Sequence, residues 1–138
     1  MINEEKIDIS KVIEKIKEKK TFIEIIPEDF AKEEGYAYII AKNVNDKMKV
    51  NQLRKIFTQI KKIENEIKGK KEEDVLDKTK IILLLPELAY AYGRNLITKD
   101  FYDLMKICLN DKLIHKKDFN NFVKFLSAIL SYHKMLSK

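Results

Sequence analysis

Cations at regular spacing are the residues in this chain whose types and positions could do chemistry. Arg54, Lys61 and Lys68 recur every seven residues. On a helix turning about 100° per residue they share one stripe, with about 10.5 Å between successive members. That pitch lets long side chains follow the phosphates of a nucleic-acid backbone. Lys55 and Lys62 make a second pair on the solvent side. The alternative is a solvated face whose lysine stems snorkel over apolar surface. Glu64 and Glu66 dilute the positive character toward the far end. Glu64 also falls on the apolar face, where a cation from another helix is its expected partner. Arg94 directly follows Gly93. A guanidinium at a helix end either offers a planar donor fork to phosphate or simply complements the helix dipole. Arg54 and Arg94 are expected to converge on one exposed flank.

Two further basic features have alternative readings. His115 with Lys112, Lys116 and Lys117 makes a small basic loop, either a second phosphate contact or a solvated turn. His133 is either a core histidine with one hydrogen bond or a contact to phosphate or base. Tyr90 and Tyr92 either stack on bases or pack at the core boundary.

Other chemistry is excluded by what the chain lacks. The carboxylate clusters Glu33-Glu34 and Glu72-Glu73-Asp74 are adjacent in sequence, so on a helix they splay apart. No general acid and base face each other across a cleft. Three Gly exclude a phosphate-cradling loop, and two His with one Cys exclude a His/Cys metal cage. No catalytic, cofactor or metal site is therefore expected. Cys108 falls inward as a buried structural thiol. As the lone cysteine it cannot form an internal disulfide, which suits a reducing cytoplasm.

The 138 residues, 45% hydrophobic and 36% charged, suit one domain and neither a disordered tail nor a membrane protein. The formal net charge of +6, from 28 basic against 22 acidic residues, favours a polyanionic partner. The N-terminal stretch lacks the basic-then-apolar order of a signal peptide. The longest apolar run, Ile81 to Leu85, is too short to span a bilayer. Lysine and isoleucine bias fits either a hot-living host or an AT-rich genome.

Two Pro and three Gly leave few chain breakers, so the expected fold is all-α. It is a compact bundle of about five to six helices in a single domain over residues 1–138. The first helix is expected from about Ile9 to Lys19, capped by Asp8 or Ser10. Thr21 to Ile26 has strand-like composition but no partner strand, and reads as an extended segment laid on the bundle. Pro27 suits a first helical position, starting a helix to about Asn43 that Gly35 weakens in the middle. Val50, Leu53, Ile56, Phe57, Ile60, Ile63 and Ile67 mark the third helix, ended by Gly69. A fourth is expected from about Glu72 to Tyr92, kinked or interrupted at Pro86 and capped by Gly93. Thr98 caps a fifth. Asp118 caps the last, whose apolar arc from Phe119 to His133 is wide enough for a central helix or a second partner.

Three segments read together carry a family resemblance. They are Asn51-Gln52-Leu53-Arg54-Lys55-Ile56-Phe57, the run Leu83-Leu84-Leu85-Pro86-Glu87-Leu88-Ala89-Tyr90-Ala91-Tyr92-Gly93-Arg94, and the run from Phe122 to Lys134 ending Tyr132-His133-Lys134. Their order and spacing resemble the small helical subunit of type III-A (Csm-type) CRISPR effector complexes. The resemblance covers roughly Asn51 to Lys134. It implies an all-helical, non-catalytic subunit that stacks beside the backbone subunits and the large polymerase-like subunit. It also implies self-association of copies and contact with target RNA paired to the guide RNA. By motif it carries RNA contact to Arg54, Lys55, Arg94 and Lys134, and the helical stripe adds Lys61. Glu87 departs from the family pattern, where a lysine often precedes Leu-Ala-Tyr. The competing reading is a helical protein-interaction module whose basic face is solvated and has no RNA role.

Overall fold

Ile9, Val12, Ile13 and Ile16 fall on one helical face, and all four are buried in the computed structural model, which describes residues 8–137. They belong to helix α1 (Ile9–Glu18), which Asp8 caps by accepting the Lys11 N–H. Six more α-helices follow among the described residues: α2 (Pro27–Phe30), α3 (Tyr36–Val44), α4 (Val50–Glu66), α5 (Thr79–Gly93), α6 (Lys99–Asp111) and α7 (Lys116–Leu136). No strand occurs among them, only an isolated bridge between Val75 and His115. The all-α expectation holds, with seven helices in place of five or six.

α7 is the axis of the molecule. It packs on α3, α4, α2 and the 3-10 turn Phe22–Glu24, while α5 pairs with α6 and α1 lies on α3 and α6. Its wide apolar arc is therefore filled from within the chain. Phe22, Phe30, Phe119, Phe122 and Phe125 are fully buried around it. Phe22 meets Phe122 edge-on at 5.4 Å, and Phe30 meets Phe125 edge-on at 5.6 Å. Burying each such ring contributes roughly 1.5–3 kcal/mol.

The Thr21–Ile26 segment is not extended. It curls into the 3-10 turn because side chains of α7 take its backbone groups. Asn121 donates to the carbonyls of Phe22 and Ile25, and Asp118 accepts the Ile23 N–H. The helix expected from Pro27 to Asn43 is two helices. Glu34 adopts φ 73, and Gly35 precedes α3. A Cβ at Gly35 would sit 2.7 Å from the Asp29 carbonyl oxygen, so the turn packs too closely for a side chain there.

Three other boundaries differ from expectation. α5 begins at Thr79, because residues 72–76 pair with the loop before α7 through Leu76 N–H to Ile114 and Lys116 N–H to Asp74. The helix is not divided at Pro86. Gly93 is its last residue, Arg94 is the cap, and Asn95 takes the left-handed conformation at φ 61. α4 stops at Glu66, ahead of Gly69. The N-cap of α7 is His115, and Asp118 sits inside the first turn.

Candidate nucleic-acid interface

α4 presents its apolar residues Leu53, Ile56, Ile60 and Ile63 to the core. That burial turns its two polar flanks outward, one toward α7 and one toward α5. Each flank borders a recess.

The recess on the α7 side has a volume of about 530 Å³. It is lined from α4 by Lys61, Glu64 and Asn65, from just past its end by Lys68, and from α7 by Lys116, Lys117, Asn120 and Lys124, with Glu72 at its edge. Lys61 is exposed and pairs with Glu64 of its own helix at 2.7 Å, not with another helix. Lys116 lies across the end of α4, donating to the carbonyls of Lys68 at 3.2 Å and Lys70 at 2.7 Å. Lys117 pairs with Glu73 at 3.0 Å. Lys68 and Lys124 face no carboxylate among the described residues. Lys124 escaped the sequence reading. The signal was present, because it follows Lys117 by seven residues and so continues its stripe.

Arg54 and Lys134 line neither recess but extend this seam. Both are exposed. Arg54 carries the Lys61–Lys68 stripe toward the start of α4. Lys134 stands about five turns beyond Lys116 on the same side of α7. The antiparallel run of the two helices brings these ends together, since His133 bonds the Met48 carbonyl just ahead of α4.

The recess on the α5 side has a volume of about 350 Å³. Lys55 and Arg94 both line it, over a floor that includes Ile56, Ile60, Leu84, Leu88 and Met105. Gln59 and Glu87 close it across the helices at 2.6 Å. The carboxylate that interrupts the family's pattern therefore holds α4 to α5. The Arg94 guanidinium lies over the Tyr90 ring, 5.8 Å from its centroid. Tyr90 is 66% exposed rather than packed at the core boundary, whereas Tyr92 stacks on Tyr102 at 5.2 Å.

The five sequence-selected residues thus divide. Lys55 and Arg94 meet in one groove, while Arg54, Lys61 and Lys134 follow the seam on the opposite flank of α4. The two guanidinium groups do not share a recess.

Two basic features are used by the fold itself. Lys112 is buried, and its ammonium donates to the carbonyls of Lys17 and Lys19 at the end of α1. His133 is 1% exposed and bonds the Met48 carbonyl at 2.8 Å, which makes it a core histidine. Among the described residues, no group of three or more His, Cys, Asp or Glu is placed to hold a metal ion. No helix among them is long and apolar enough to cross a membrane.

A family model described as Csm2 Type III-A matches residues 27–138, from the first residue of α2 onward. The chain belongs to this family. Csm2 is a small subunit of type III-A CRISPR complexes, and its partners are the other subunits of that assembly. Neither a curated protein nor a solved structure matches the chain. Residues 1–26, which include α1 and the buried Phe22, lie outside the Csm2 match. Both recesses beside α4 lie within it, apart from Ile23 at the margin of the seam.

Proposed function

We propose that this Csm2 chain is a non-catalytic, cytoplasmic subunit that grips target RNA, and the duplex it forms with guide RNA, through phosphates. It stacks along the guide-RNA backbone filament, beside the backbone and large polymerase-like subunits, in antiviral defence. The observation that carries the RNA contact is the lysine-lined seam between α4 and α7. Cations there sit on rigid helices and on both sides of one recess, a geometry that suits a strand's phosphates and reads no base. Guide pairing then supplies sequence recognition. The apolar arc of α7 is used inside the molecule, so self-association falls to other surface. Ile82 and Leu83 on α5, 40% and 60% exposed, are available for it.

The test is the salt dependence of single-stranded RNA binding. Five phosphate contacts, from Arg54, Lys55, Lys61, Arg94 and Lys134, give a slope of log affinity against log salt near −3.5, at about −0.7 per contact. Replacing Lys61 and Lys134 by Ser should flatten the slope by about 1.4 without lowering helicity or the melting temperature. A slope near zero in the intact chain, with retention of partner subunits, would identify a protein-interaction module instead.

A further inference from the structure

The groove between α4 and α5 differs in chemistry from the α4–α7 seam. The seam is lined by ammonium groups with the Glu64 and Glu72 carboxylates among them. The groove has an apolar floor, the amide of Gln52, the Gln59 amide bonded to the Glu87 carboxylate, two cations from Lys55 and Arg94, and Tyr90 at its rim. Tyr90 is a large ring left 66% exposed, with a guanidinium over it. An aromatic ring beside cations is how proteins hold a single-stranded base, because every base has a π-face and a phosphate next to it.

We propose that this groove is a subsite for one unstacked nucleobase of the bound RNA. Tyr90 and the guanidinium of Arg94 form its stacking platform, and Lys55 holds an adjacent phosphate. The inference rests on the RNA-binding reading above and adds a base contact to it. A nucleotide fits each part of the site. Its base covers Ile56, Leu88 and the platform of Tyr90 and Arg94, and its phosphate meets Lys55. An apolar peptide side chain would cover the floor but leave Lys55 and Arg94 without partners. The Gln52 amide can donate and accept, so it accommodates the polar edge of any base and imposes no sequence.

A pair of RNA oligomers tests this, one intact and one with abasic sites at alternate positions. Both present the same phosphates. The intact protein should bind the abasic oligomer about tenfold more weakly. Tyr90→Ala should bind the two with the same affinity, and Tyr90→Phe should restore the difference. The salt slope should be the same in all three proteins, because no phosphate contact changes. Tyr90 is exposed, so each variant should melt with the wild type.

Equal binding of both oligomers by the wild type, with a steep salt slope, overturns the subsite and leaves the phosphate seam standing. A difference that survives in Tyr90→Ala also overturns it. Unchanged RNA binding by Tyr90→Ala, with loss of a partner subunit from the complex, assigns the groove to protein and overturns it too. Absence of salt-dependent binding to either oligomer removes the underlying RNA reading as well.

Discussion

Asp118→Ala should be among the most destabilising single changes in this chain. The carboxylate is completely buried and accepts three backbone N–H groups, from Ile23 at 2.9 Å, Ile114 at 3.1 Å and His115 at 2.9 Å. It ties together the 3-10 turn, the loop before α7 and the first turn of α7 itself. Each hydrogen bond to a charged group contributes about 1.5–3 kcal/mol, and an orphaned buried donor costs about 1–3 kcal/mol. Ile23 and Ile114 are 39% and 38% exposed, so water can rehydrate part of what alanine leaves open. The expected loss is therefore about 3 kcal/mol, below the full sum of three bonds. Urea unfolding followed by far-ultraviolet circular dichroism measures it, with an unchanged m-value. Acid adds a second signature. Burial acts to raise the Asp118 pKa, but hydrogen bonds from His115, Ile23, Thr21 and Ile114 outweigh it and hold the carboxyl below its ordinary value of 3.8. The unfolded chain then takes up the proton first. The stabilisation is complete above the unfolded value and disappears as pH falls through the lower folded one. The gap between wild type and Asp118→Ala should be constant near neutrality and narrow only below about pH 4. A loss under about 1 kcal/mol, or a gap that persists in acid, would refute this account of the hub.

Other expectations follow from single contacts. Gly35→Ala should cost about 1–3 kcal/mol in urea unfolding, because the new Cβ meets the backbone carbonyl oxygens of Asp29 at 2.7 Å and Lys32 at 2.9 Å. Lys112→Met keeps the aliphatic stem but leaves the Lys17 and Lys19 carbonyls without their donor. It should cost about 2–3 kcal/mol and leave the salt slope of RNA binding unchanged. Burial pushes the Cys108 thiol far above its ordinary 9.0, against a smaller lowering by Lys112. The folded protein should resist iodoacetamide at about pH 8 and react once urea unfolds it. Labelling that precedes unfolding would show the thiol to be accessible.

Periodicity made most of the fold legible. Leu53, Ile56, Ile60 and Ile63 are buried as their spacing requires, and so are Phe101, Leu104, Met105 and Cys108 on α6. The errors cluster where tertiary partners replaced local ones. Asp118 has the composition of a helix cap, but its three donors include one ninety-five residues away in sequence. Nothing local to Asp118 announces Ile23. Thr21 to Ile26 has strand composition, yet Asn121 and Asp118 satisfy its backbone in place of a second strand. Residues 72–76 carry helix-favouring acids, but they pair with the 114–116 loop and Glu73 is held by Lys117. For the candidate interface, the stripe Arg54–Lys61–Lys68 was readable from spacing alone. Its partner on α7 needed the antiparallel packing of two helices about fifty residues apart, which no local pattern encodes.

The net charge of +6 also conceals a division that bears on function. Lys112 directs its ammonium group to the carbonyl end of α1, where it acts as a C-terminal cap, and Lys116 directs its own to the carbonyls of the Lys68–Lys70 turn that follows α4. Lys112 is buried and cannot turn toward a ligand without orphaning two carbonyls. Lys61, Lys80 and Lys99 instead face carboxylates at the surface. Such exposed pairs contribute about 0–1 kcal/mol, so a phosphate can displace the carboxylate at little cost. The residues available to a polyanion are therefore set by how freely each cation can leave its present partner, not by the count of cations. By that criterion α4 retains Arg54, Lys55, Lys61 and Lys62, Lys68 follows just past its end, and α7 adds Lys124 and Lys134. Six of these seven lie on the two antiparallel helices that build the core, so an RNA strand held there meets a surface with little freedom to rearrange. The rigidity reduces the ordering cost of binding for an individual contact. It also requires the strand to adapt to the protein.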